Sequence, residues 1–244
     1  MGKVLSSEIN RFLSLKRFWI LTVLTFLAGL LMVVDTKTTF FNDFMFLDSI
    51  YGFNSFIFNM AVGIIIFVSL YRRKYTRKSI ELSEENNVKR GVVVISEWMT
   101  GTIAIIGLYI AIIPWVLLLG LIFGAHSTGL QIKAMSFLFL FDMIASIGCF
   151  SAALIFFYLT AFPVLPIVIY GALIWVYPIV TSLFKLRGIW ADIYFCTKSA
   201  YTSFMFGNVN LWFIPVLMIY VAFSLGLSVL IFSFKKKERK KRVK

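Results

Sequence analysis

One histidine, two cysteines and charge on only 14% of residues leave this 244-residue chain with little of the chemistry that soluble enzymes use. A soluble domain carries about 25% charged residues and about 45–50% apolar ones; here 60% are hydrophobic. No GxxxxGK[ST] run occurs, so the chain has no P-loop for ATP. No CxxC occurs either: Cys149 falls in an apolar run and Cys196 in a polar loop, which leaves two ordinary thiols and no metal motif. The lone His126 sits in an expected outer loop. An intramembrane metalloprotease needs several His or carboxylate ligands, so that chemistry is disfavoured. Glu84-Glu85 followed by Lys89-Arg90 loosely resembles an EExxxR protease signature, but the arginine is one place late and partner histidines are missing.

What the chain has is long charge-free runs. A helix needs roughly 20 apolar residues to cross the hydrocarbon core. Counting such runs gives an all-α integral membrane protein with six spans, at about 18–34, 52–71, 98–124, 132–158, 163–184 and 211–234. Pro163 and Pro166 divide the long stretch between the fourth and fifth, since proline removes a donor and restricts the residue before it. Gly207, Asn208 and Asn210 mark a loop before the sixth. No cleavage site is evident after Val34, so the first run is expected to remain as a span.

The net charge of +13 is distributed for membrane orientation rather than for nucleic acid, because basic residues flank the apolar runs instead of forming a continuous patch. With both termini cytoplasmic, 19 of the 24 Lys and Arg fall inside. The positive-inside bias favours that orientation and an even number of spans. Residues 4–17 place Val4, Leu5, Ile9, Phe12 and Leu13 at helical spacing opposite polar residues, the pattern of an amphipathic helix lying in the interface. Residues 235–244 form a basic cytoplasmic tail, and 185–210 form an aromatic outer segment with helical character.

Between the second and third spans lies YRRKYTRKSIELSEENNVKRGVVVISEWM, from Tyr71 to Met99. Ser79, Ile80, Glu81, Leu82, Ser83, Glu84 and Glu85 suit a helix of about two turns with a serine near its start. Taken with SEINRFLSLKRFWI (Ser7 to Ile20), the Arg77–Met99 stretch and the long outer segment, the layout of the whole chain resembles the permease subunits of ABC-2-type ATP-binding-cassette transporters. The likeness is one of pattern, and Glu97 departs from it where many members carry lysine. The resemblance implies a bacterial cytoplasmic-membrane subunit that is not catalytic itself. It would pair with a second permease, identical or sibling, on a cytoplasmic ABC ATPase dimer that binds ATP and magnesium. Residues 79–87 would be the coupling helix docked on that ATPase. Export is the family's usual direction, and the compact chain resembles permeases that export antimicrobial or toxin-like peptides. Lipid, lipid-linked glycan or drug export is the alternative cargo class.

Three other classes compete. A substrate-binding subunit of a vitamin importer also has about six spans and no ATP site, but has no need of the charged loop. An intramembrane enzyme and a sensor or scaffold complete the set. Inside the spans, Gly52, Ser55, Asn59 and Gly63 line one face of the second, a pattern of close helix packing. Gly120 and Gly124 form a GxxxG pair. Asp142 lies deep in the fourth span beside Ala145, Cys149 and Ala152, where a carboxylate is costly and faces protein or water. Asn59, Asp142, Tyr170, Trp175 and Tyr177 are therefore the candidates for helix packing or for a pathway, the last three by family analogy. Many of the 27 phenylalanines are expected to face lipid.

Overall fold

A computed structural model describes residues 2–39, 43–74, 90–124, 129–160, 164–176, 179–180, 183–184 and 213–242. Every extended element among them is helical. Helix α1 is Gly2–Leu13, α2 is Lys16–Thr39 and α3 is Asp43–Gly52. A π-turn, Phe53–Phe58, joins α3 to α4, Asn59–Lys74. Then follow α5 (Arg90–Phe123), α6 (Gly129–Leu159), α7 (Val164–Gly171) with a second π-turn at Ala172–Val176, and α8 (Phe213–Arg242).

Five helical stretches are long and apolar enough to cross a bilayer: Lys16–Asp35, Asp48–Tyr71, Gly91–Phe123, Met135–Leu159 and Pro215–Phe234. This is the build of a multi-pass membrane protein. Within the expected fifth span, 163–184, residues 164–176 are an eight-residue α-helix and a five-residue π-turn, and further on the Phe184 N–H donates to the Val180 carbonyl (3.0 Å). At 1.5 Å per residue 164–176 alone reaches roughly 20 Å, against roughly 30 Å of hydrocarbon.

The helices also outrun their expected limits. The third span was expected from Trp98, yet α5 starts at Arg90 and runs for 34 residues. The second was expected from 52 and its helix starts at Asp43. The basic tail expected after 234 is helical to Arg242. Charge ends an apolar run but need not end a helix, whose backbone bonds close within the segment whether its side chains meet lipid, protein or water. The amphipathic helix expected over 4–17 is Gly2–Leu13, and the chain turns at Ser14–Leu15. The Ser14 hydroxyl donates to the Arg11 carbonyl (2.8 Å) and the Trp19 indole N–H to the Leu13 carbonyl (2.7 Å). These bonds supply partners for carbonyls left over at the helix end. Phe12, buried, packs on Phe18, and α1 lies against α5.

Burial separates the inner helices from the outer ones. The second and fourth apolar stretches are 65% and 67% buried, and the last only 11%. The α3–α4 rod and α6 are therefore central, with α2, α5, α7 and α8 packed around them. Aromatic rings fill the interior rather than only facing lipid. Phe53, Phe58, Phe67, Phe150 and Phe157 are at most 1% exposed. Glycines make room for them: a Cβ at Gly29 would stand 2.5 Å from the Trp115 ring, and one at Gly101 2.3 Å from Phe150. Several hydroxyls within the helices turn back on their own backbone, as Thr22 does to the Phe18 carbonyl and Ser228 to that of Ser224. That satisfies them where no water is at hand.

Candidate functional site

Two asparagines on the central rod begin the site. In an α-helix, residues five apart point about 140° away from each other at 3.6 residues per turn. A π-turn instead closes its bonds between residues five apart. Here the Asn59 N–H donates to the Asn54 carbonyl, so the two side chains stack on one face. Asn54 is wholly buried and its amide Nδ2 donates to Oδ2 of Asp142 on α6. Asn59 accepts on Oδ1 from the hydroxyl of Tyr109 on α5. The Tyr109 oxygen lies 2.9 Å from Ser146 Oγ, one turn along α6 from Asp142. Tyr109 has one hydrogen, already given to Asn59, so Ser146 is the donor in that contact. Tyr170, on α7, is fully buried and approaches the same group near Ser146, without a hydrogen bond of ordinary geometry among the described residues.

Each member sits near the middle of its own helix. Tyr109 is 19 residues into the 34 of α5, and Asp142 is 13 into the 31 of α6. The cluster is thus at mid-depth of the apolar layer. An amide, a carboxylate and hydroxyls are costly at that depth unless they bond to one another.

A second buried polar pair lies nearer the α5 start. Glu97, 1% exposed, accepts on Oε2 from the Tyr158 hydroxyl of α6. One residue on, the Trp98 indole donates to Ser151 Oγ (2.8 Å). The Tyr158 ring also meets Phe232 of α8, so this pair ties three helices together.

Of the residues singled out from sequence, Asn59, Asp142 and Tyr170 come together in the mid-depth cluster. Trp175 is beside it, its indole N–H donating to the Ser55 carbonyl at 3.0 Å. Tyr177, the coupling segment Ser79–Glu85 and the outer segment 185–210 lie outside the described residues. The face Gly52–Ser55–Asn59–Gly63 is interrupted by the π-turn and divides among neighbours. Gly52 approaches Met32, Asn59 bonds α5, and Gly63 receives the Tyr170 ring, 2.2 Å from where a Cβ would be. The GxxxG pair separates too. Gly120 meets Phe46, whereas Gly124, at φ 71°, ends α5 in the left-handed conformation that glycine adopts most readily.

No match to this chain is found among family models, curated proteins or solved structures.

Sequence reading missed Asn54, Tyr109 and Ser146 as partners and placed Glu97 outside the membrane helix. Asn54 was readable as a polar residue within an apolar run, the same signal that marks Asp142. The others carry no such signal: a tyrosine or serine in a span is ordinary. Among the described residues, no group of three or more His, Cys, Asp or Glu could hold a metal ion. The hydrogen bonds of the cluster fix the rotation of the central rod, α5 and α6 relative to one another.

Proposed function

We propose that the chain is the membrane subunit of an ATP-driven exporter, of the ABC-2 permease type, working without a nucleotide site of its own. In this reading it crosses a bacterial cytoplasmic membrane six times with both termini inside. Helix α1 lies in the cytoplasmic interface, and two permeases stand on an ABC ATPase dimer that binds ATP and magnesium. The observation that carries it is the course of α5. This helix begins at Arg90, directly after the charged segment 75–89, and runs unbroken from there to Tyr109 in the mid-depth cluster. Force applied to Ser79–Glu85 by a closing ATPase pair would enter a rigid rod at its base. The rod would deliver it to the bonds that fix the α3–α4 rod against α6. Glu97–Tyr158 and Trp98–Ser151 would pass part of the same motion to α6 on the way.

The cargo in this reading is hydrophobic or amphipathic, most simply an antimicrobial or toxin-like peptide, because the rods offer aromatic and aliphatic surface with few polar groups. The test is reconstitution. The chain is copurified with its ATPase and placed in proteoliposomes, and efflux of a labelled amphipathic peptide is followed. Efflux should stop when the ATPase P-loop lysine is replaced. Leu82→Arg should leave the chain folded and abolish efflux by weakening the ATPase contact. Undiminished ATPase binding and efflux in Leu82→Arg would overturn the coupling assignment, and ATP-driven efflux by the chain alone would overturn the whole reading.

A further inference from the structure

Two π-turns stand side by side at mid-depth. Helix α4 and the α7 element run antiparallel, as three contacts in order show: Tyr170 sits on Gly63, Gly171 on Met60, and Trp175 on Ser55. The first π-turn, 53–58, therefore lies beside the second, 172–176. They are joined, because the Trp175 indole of one donates to the Ser55 carbonyl of the other. A π-turn houses one residue more than the α-helical ladder needs, and such turns concentrate where helices change shape. Two in contact, bonded to each other and to a polar cluster, are a more specific arrangement than either alone.

We infer that the paired π-turns form one coupled hinge, in which the central rod and the α7 element change between π and α registers together. Returning 53–58 to the α register turns the two halves of the central rod by about 100° and shifts them by about 1.5 Å relative to each other. Asn59 lies on the α4 side and keeps Tyr109, while Asn54 swings away from Asp142. Ser55 turns with Asn54, so its carbonyl leaves the Trp175 indole and the second π-turn loses the contact that holds it. The Asn54–Asp142 bond is the latch, and the Trp175–Ser55 bond is the link between the two turns. This hinge is a property of the chain itself and operates whichever cargo or partner the protein has.

The experiment is indole relaxation dispersion on the full-length chain, ¹⁵N-labelled at tryptophan, in lipid nanodiscs; the method reports exchange on the microsecond-to-millisecond scale. The Trp175 signal is assigned from Trp175→Phe. Trp98 is the internal control, since its indole bonds Ser151 away from both π-turns. The hinge requires dispersion at Trp175 and a flat profile at Trp98. Deleting Ile57 removes the extra residue and leaves the two asparagines four apart, still sharing a face in an α-helix. That variant should lose the dispersion. Asn54→Leu releases the latch and should raise the minor population at least twofold, whether or not the deletion variant folds. A flat Trp175 profile, equal dispersion at Trp98, or an Asn54→Leu profile unchanged from the parent would each overturn the hinge.

Discussion

The ring of Tyr170 occupies the space where a side chain at position 63 would stand, which makes Gly63 a packing requirement rather than a flexible point. A Cβ there would fall 2.2 Å from the ring, and the ring is enclosed on all sides. Overpacking of this kind costs about 1–3 kcal/mol. Gly63→Ala should therefore lower the thermal midpoint in detergent by several degrees. Gly107→Ala should leave it unchanged or raise it slightly, because nothing lies within 4 Å and alanine is the better helix former. Equal midpoints for the two variants would contradict the tight seating of Tyr170. The polar cluster gives a second prediction at this scale. Tyr109→Phe deprives Asn59 and Ser146 of a partner, at about 1–3 kcal/mol for a buried group left unbonded. Adding Asn59→Leu removes much of that orphaned polarity, so the double variant should be more stable than the two single losses predict. Additive losses in a double-mutant cycle would show that the bond does not form. Asp142 was legible in sequence because polarity deep in an apolar run is costly, and Asn59 only as one of the small residues along a packing face. Their meeting in one cluster was not, since it depends on a π-turn that changes which residues share a face and leaves no mark in composition.

Among the elements, the existence of the apolar helices was legible and their ends were not. Glu97 shows why. Charge was read as the edge of the span, so the third began at Trp98, yet the Tyr158 hydroxyl gives Glu97 a buried partner and the helix runs seven residues further toward its start. Tertiary bonding, not local hydropathy, decided that boundary. The α1 helix makes the opposite point: its apolar spacing was readable, but its apolar residues meet α5 and α2 as well as any interface. Phe12, 4% exposed, is the anchor, and Leu13, 44% exposed, faces away. Phe12→Asp should release α1 from the bundle and expose residues 2–15 to limited proteolysis in nanodiscs. Leu13→Asp should leave them protected. Equal cleavage of the two variants would mean that α1 is held by the membrane surface alone.

At the scale of the whole molecule, the 164–176 element decides the topology. If the segment from 163 to 184 crosses the bilayer, the spans number six and the termini share a side; if it does not, the five long helices leave them on opposite sides. Length favours the second outcome if 164–176 is counted by itself, since thirteen residues reach roughly 20 Å. Charge favours the first. With five crossings, the eight basic residues of 235–244 would face away from the four near the N-terminus and the seven between 72 and 90. That would place a tail of eight charges against the positive-inside bias, and each charge carried across 100 mV costs about 2.3 kcal/mol. The charge term is the larger, because it is counted over eight residues, whereas a short helix is accommodated by local thinning or by continuation through 177–184 at fractions of a kcal/mol per Å. Single cysteines at positions 3 and 240, in a background lacking Cys149 and Cys196, should therefore both react with an impermeant maleimide in inverted vesicles and neither in right-side-out ones. Labelling of one from each side would fix the crossings at an odd number and remove the six-span arrangement on which the exporter reading is built.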